Sequence, residues 1–181
     1  STAYAAKIYR QYGKESIDKV KDNPYRLADD IWGIGFKTAD GIAAKMGYEK
    51  SDLRRCRSGI LYTLSQLSND GHVYAEEEQL QKSAIQLLEV EEEPVKQAMA
   101  QMIEAKDLEL DKEAIYLPPF YYAECGAANR LIALVEAVEA DKKKPTFNLA
   151  AISQETGIEY DDVQIAAIRQ AVESKVMILT G

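Results

Sequence analysis

Between Asn23 and Gly47 the chain reads NPYRLADDIWGIGFKTADGIAAKMG, and the Gly33-Ile34-Gly35 turn inside it separates two short helical periods. Asn23 and Pro24 form a helix start, a capping residue followed by a first-turn proline whose missing N–H costs nothing there. Leu27, Ala28 and Ile31 then recur at helical spacing, and the apolar face stops at Trp32-Gly33. A second period runs through Thr38, Ala39, Ile42, Ala43 and Met46 before Gly47 supplies a C-terminal stop. Two helices are therefore joined by a very tight glycine turn. Glycines at alternate positions let the backbone turn sharply and approach a ligand closely, leaving the amides of the turn and of the next helix's first turn outward. Such a cluster of N–H groups binds phosphate. The candidate phosphate-binding residues are Gly33, Ile34, Gly35, Lys37 and Thr38, with Lys37 adding positive charge beside the second helix. A dinucleotide fold is not indicated: no strand pattern precedes the turn, and Thr38 stands where a third glycine or alanine is needed.

The pattern Leu27, Ile31, Gly33, Ile34, Gly35, Thr38, Ala39, Ile42 resembles a helix-hairpin-helix motif, a unit that holds nucleic-acid backbone without reading sequence. The wider string NPYRLADDIWGIGFKTADGIA resembles the amino-terminal region of RecD-like DNA helicases. Beside this stands the plainer reading of a glycine turn that only packs two helices.

With 46% hydrophobic and 29% charged residues, the composition is that of a folded chain rather than a disordered one. A net charge of -8 argues against nucleic acid, but its distribution is uneven. Residues 1–60 carry +4 and the remainder -12, so only the amino-terminal third suits phosphate. Cys56 and Cys125 lie far apart with no C-x-x-C spacing and read as free thiols in a reducing compartment. His72, the one histidine, reads as part of the Asn69-Asp70-Gly71-His72 turn, and no metal site is expected. No long apolar run or charged-then-apolar leader is present, so the sequence suggests neither membrane insertion nor secretion and a cytoplasmic location is expected.

Ser1 to Tyr12 reads as one helix ended by Gly13, and Thr2-Ala3 echoes Thr38-Ala39 as a weak internal repeat. On that expectation the helix is the second half of an earlier, truncated hairpin motif. From Leu53 the period Leu53, Cys56, Ile60, Leu64, Leu67 defines a strong amphipathic helix, with Arg54, Arg55 and Arg57 mostly off its apolar face. Those arginines fit either DNA phosphates or acidic neighbours on a solvated face. A short Val73-Tyr74 segment follows, then helices through Leu80, Ala84, Leu87, Leu88 and through Val95, Ala98, Met99, Met102, Ile103. Strand-like pieces Leu108 to Leu110 and Ala114 to Leu117 complete an order that resembles a winged-helix section. Glu76-Glu77-Glu78 and Glu91-Glu92-Glu93 weigh against DNA there and favour a structural or docking role. Pro118-Pro119 precedes a long helix through Ala127, Leu131, Leu134, Val135 and Val138. The aromatics Phe120, Tyr121 and Tyr122 at its start suit packing better than base stacking. Asp141-Lys142-Lys143-Lys144-Pro145 reads as a linker.

At the end, YDDVQIAAIRQAV reads as a helix and VMILTG as a buried strand followed by glycine. In RecD-like helicases this order opens the first motor domain. The resemblance implies that Gln164 contacts the adenine of ATP and that Gly181 is the first glycine after the strand. No G-x-x-x-x-G-K-[ST] follows within the sequence, so the lysine for the phosphates and the hydroxyl for magnesium are absent from it. The expected fold is mainly α. A helix-hairpin-helix bundle spans 1–50, with the complete motif at 23–47. A winged-helix-like helical section with short strands spans 51–140, a linker 141–147, and the first helix and strand of a RecA-like motor domain 148–181.

The function implied by the resemblance is the DNA-binding amino-terminal region of an ATP-dependent 5′ to 3′ DNA helicase acting in recombination or repair. Its partners would be single-stranded or forked DNA, held without sequence preference, and the rest of the motor. ATP and Mg2+ would belong to the parent protein, with none expected on these residues alone. Two other classes compete. One is a non-enzymatic helix-hairpin-helix module that binds protein. The other is a DNA glycosylase, for which Asp52 lies in the direction of a catalytic aspartate.

Overall fold

The computed structural model describes residues 2–137 and 148–180. The expected linker at 141–147 and Gly181 lie outside the described residues. Two units divide the chain, Ser1–Tyr122 and Ala123–Gly181.

The first unit opens with α1 (Thr2–Tyr12), on which Tyr4, Ile8 and Tyr12 recur every fourth residue and pack half-buried against the core. One turn of 3-10 helix, Gly13–Glu15, leads into α2 (Ser16–Asp22). The hairpin follows as α3 (Arg26–Asp30) and α4 (Phe36–Lys45). Asn23 is not the helix cap expected from sequence: its Oδ1 accepts from the Tyr25 N–H at 3.0 Å in a turn that precedes the helix, and Tyr25 takes the N-cap position without a side-chain bond. The first hairpin helix is shorter than its apolar spacing suggests, because Ile31 is already extended at φ -126° and ψ 109°.

Next comes α5 (Leu53–Asn69), whose Cys56, Ile60 and Leu64 are buried on one face. After it the order is β1 (Tyr74–Glu76), α6 (Glu77–Leu88), α7 (Glu92–Glu104), β2 (Glu109–Asp111) and β3 (Ala114–Tyr116). The strands form one antiparallel sheet in the order β1-β3-β2, with Ala75 opposite Ile115 and Ile115 opposite Leu110. Helix, strand, two helices and two strands, with the last strand central, is the connectivity of a winged-helix section. Hairpin and winged-helix residues share a single core that runs from Leu27, Ile34 and Ala39 through Ile60 to Leu80, Met99 and Ile115. The first fifty residues are thus packed as part of one body.

Helix α8 (Pro118–Glu136) starts in the first unit, where Tyr121 meets Tyr116 edge-on at 5.5 Å between centroids. Tyr122 donates to Glu109 Oε1 at 2.9 Å, and both contacts fit the packing reading of these aromatics. The second unit contains the rest of α8, α9 (Leu149–Thr156) and α10 (Asp162–Glu173). None of its described residues is buried.

The expected terminal strand is not formed. Residues 177–180 have no regular structure, and Ile178 and Leu179 are 86% and 75% exposed. A strand exists only when a neighbour takes its N–H and C=O groups, and all strands among the described residues lie in the first unit. Of the helix and strand expected at the opening of a motor, only the helix α10 is present.

Candidate nucleic-acid interface

The hairpin turn is fixed from inside. Ile31, Ile34 and Phe36 are buried, and the Ile34 N–H closes the turn on the Ile31 carbonyl at 3.0 Å. Ile34 itself is only 2% exposed, so among the candidate residues it can offer backbone but no side chain. Between the two isoleucines the chain must reverse, and Gly33 does this at φ +84°, a left-handed conformation that L side chains rarely adopt.

Gly35 is different. At φ -95° and ψ 176° it is the ordinary extended residue before a helix, and a Cβ built on it would meet nothing within 4 Å. Neither its conformation nor its neighbours demand glycine. What the missing side chain does leave open is the N-terminus of α4. Amides there have no partner one turn back, and among the described residues those of Gly35, Phe36 and Lys37 donate no hydrogen bond. The Thr38 and Ala39 amides both turn back to the Gly35 carbonyl, at 3.0 and 3.1 Å. Thr38 is therefore less available than its position in the sequence suggests. Lys37 is exposed on the first turn of α4.

A second cation reaches the same turn from α1. Lys7 Nζ donates to the Trp32 carbonyl at 3.2 Å and lies 5.8 Å from the centre of the Trp32 ring. Lys7 and Trp32 were not among the candidates from sequence. Twenty-five residues separate them, and in the sequence Trp32 only marks where the apolar face stops; the structure leaves it 94% exposed.

Behind the turn, Phe36 stacks between Tyr25, at 6.4 Å and 21°, and Tyr62, at 5.4 Å and 30°. The Tyr25 hydroxyl donates to Asp40 Oδ1 at 3.0 Å, and burial with this bond raises the phenol well above its ordinary value. On α1, the Tyr12 hydroxyl donates to Asp30 Oδ2 at 2.7 Å, and burial first and that bond second push it up to about 12.

The arginines of α5 are engaged within the molecule. Arg54 holds Asp52 at 2.7 Å, Arg55 holds Asp40 at 2.7 Å, and Arg57 pairs with Asp107. Of the two readings left open by the sequence, these pairs fit that of acidic neighbours. Asp52 caps α5, and its hydrogen bonds to Arg54 hold its carboxyl below the usual value. Asp52 is thus engaged in capping α5 and in pairing with Arg54.

The winged-helix surface is acidic. Glu76, Glu77, Glu78 and Glu113 converge there with Gln81, and the nearby Lys96 already pairs with Glu92. Among the described residues no group of His, Cys, Asp and Glu could hold a metal ion, and no helix is long and apolar enough to cross a membrane. Gln164 lies on α10, far along the chain from the hairpin. Its Oε1 accepts from the Asp161 N–H at 3.1 Å while its own N–H donates to Asp161, the reciprocal arrangement of a capping box.

Residues 1–74, from α1 to the start of β1, match the family model described as the ATP-dependent RecD2 DNA helicase HHH domain. Over these residues the chain is similar to the helix-hairpin-helix domain of that helicase family.

Proposed function

We propose that this chain is the DNA-engaging amino-terminal region of a RecD-like ATP-dependent helicase, and that it grips the sugar-phosphate backbone through Gly33, Ile34, Gly35, Lys37 and Thr38. The observation that carries this reading is Gly35, a glycine that its own fold does not require, standing over unpaired first-turn amides and beside Lys37. An external ligand that must come close to the backbone accounts for it. Contact through amides and a lysine carries no base information, so single-stranded or forked DNA would be held irrespective of sequence. Unwinding and 5′ to 3′ movement would belong to the parent protein.

The residues present do not by themselves fit ATP. Gln164 offers one edge contact to adenine, and its carbonyl oxygen is already used in the α10 cap. No G-x-x-x-x-G-K-[ST] pattern occurs in the sequence. Gln164 would serve adenine only alongside a phosphate cradle supplied from elsewhere.

The test is the salt dependence of binding to single-stranded and forked DNA, read by anisotropy. Lys37→Ala is expected to weaken binding similarly across sequences. It should also lower the logarithmic salt slope by about 0.7 on single strands and about 0.9 on duplex for one lost phosphate contact. Arg26→Ala is the control, because Arg26 is paired with Asp30 at 3.6 Å on the preceding helix. Unchanged affinity and slope in a folded Lys37→Ala protein would leave the hairpin as a packing turn and favour a module that binds protein.

A further inference from the structure

The least explained side chain in the hairpin is Trp32. Large aromatics dominate core energetics because they remove so much apolar surface from water, yet this indole is 94% exposed at the tip of the turn. It is also held in place. Its carbonyl accepts from Lys7, the next residue is locked at φ +84°, and Ile31 just before it is buried. The backbone on both sides is thus fixed by core contacts while the ring projects outward.

We propose that Trp32 is a stacking platform for an unpaired nucleobase, placed so that a nucleotide whose phosphate sits on the Gly35–Lys37 amides lays its base against the indole. This rests on the backbone-binding reading above and adds to it a preference for single-stranded or junction DNA over intact duplex. Charge around the ring favours a nucleic-acid occupant. Lys7 Nζ lies over the ring, 5.8 Å from its centre, and Lys7 is exposed. Stacking is indifferent to base identity because every base has a π face, which agrees with a clamp that reads no sequence. A base inside a duplex is already stacked on both sides and cannot use the platform.

Trp32 is the only tryptophan in the chain, so its emission reports its own surroundings. The experiment titrates the full chain with a short oligo-dT, with an abasic sugar-phosphate chain of equal length, and with blunt duplex. Oligo-dT is expected to quench the emission and the abasic chain to leave it nearly unchanged. Trp32→Ala should weaken oligo-dT binding roughly fivefold to a hundredfold, leave the salt slope as it is and barely alter duplex binding. Trp32→Phe should retain most of the affinity. Truncating a side chain this exposed opens no cavity, and matching melting curves confirm that each variant is folded. Absence of quenching together with normal oligo-dT binding by Trp32→Ala overturns the proposal, as does equal quenching by the abasic chain or an equal loss on duplex. If Lys37→Ala still weakens binding in that event, the backbone clamp survives without the platform. If neither variant matters, both fall, and the indole is a contact for protein.

Discussion

The Arg55 guanidinium lies flat against the Asp40 carboxylate, with Nε 2.7 Å from Oδ1 and Nη2 3.0 Å from Oδ2. Its remaining nitrogen donates to the Leu88 carbonyl at 2.7 Å and the Lys50 carbonyl at 3.0 Å. One side chain on α5 therefore ties down the second hairpin helix, the loop after it and the end of α6. Asp40 also accepts from Tyr25, so both hairpin helices meet at that carboxylate. The clamp would be only as rigid as this junction.

Asp40→Ala should consequently be costly. It leaves Arg55, whose side chain is 11% exposed, without its counter-ion and Tyr25 without its acceptor. The pair is half-buried, so breaking it from one side should cost less than the roughly 3–5 kcal/mol of a fully buried one, measurable as a drop in the urea midpoint. Arg55→Lys should not rescue the geometry, since an ammonium cannot make the paired contact and reach two carbonyls as well.

A second close approach lies one turn further along the same face of α5. A Cβ at Gly59 would stand 2.7 Å from Leu88 Cδ2, and Leu88 is fully buried. Gly59→Ala gains about 1 kcal/mol in helix propensity, but the overpacking costs roughly 1–3 kcal/mol. A net loss of stability is expected, and the double variant Gly59→Ala, Leu88→Val should recover part of it. Equal melting of the parent and Gly59→Ala would mean that α6 shifts freely.

These contacts mark the limit of what the sequence discloses. The turn, α4, α5 and the order of helices and strands are written in periodicity and in glycine placement, which act over a few residues. Arg55 with Asp40, and Arg57 with Asp107, are pairs separated by 15 and 50 residues, and no local pattern announces them. Trp32 stands where the apolar face of α3 stops, and no local pattern says which way its ring points. The helix ends at Ile31, whose backbone is extended, and the Trp32 ring beyond it is exposed. At the tail, VMILT has the composition of a buried strand, but composition does not provide the neighbouring strands that would make it one.

Asp52 gives a pH test whose sign is set by its lowered carboxyl value. The cause is hydrogen bonding from the Arg54 side chain, opposed by burial and assisted by the Arg54 backbone N–H. A carboxyl held lower in the folded than in the unfolded chain contributes stability that is fully present above the unfolded value, near 3.8, and is lost as pH falls through the folded one. Asn caps a helix about as well as Asp. The stability gap between the parent and Asp52→Asn should therefore be widest at neutral pH and close below pH 3.8. A gap that stays constant in urea melts down to that range would show that the charge contributes nothing.

The purified chain should neither hydrolyse ATP nor unwind DNA, since the lysine and hydroxyl that hold phosphates and magnesium are missing from its sequence. Phosphate release that follows the protein through purification and disappears in Gln164→Ala would contradict this.

The two glycines of the turn should separate folding from binding. At Gly33 the backbone is left-handed, and a Cβ would press within 2.8 Å of Lys7 Nζ. The long lysine can move away, but the φ cannot relax without undoing the turn, so Gly33→Ala should cost about 1–2 kcal/mol of stability and weaken DNA binding with it. At Gly35 the two effects should part. Its extended backbone is that of a capping position, where serine replaces glycine with a gain of a few tenths of a kcal/mol. Restricting the unfolded chain adds roughly 0.4–1 kcal/mol more. Gly35→Ser should thus melt slightly higher than the parent, because its hydroxyl can accept from the first turn of α4. That same hydroxyl fills the approach to the amides that a phosphate would use, so affinity for oligo-dT should fall although the protein is more stable. Gly35→Val should bind more weakly still, since a branched side chain blocks the approach and offers no cap. A Gly35→Ser protein that gains stability and keeps its full affinity would mean that DNA does not approach α4 end-on, and the contact would have to lie with Lys7 and Trp32 alone.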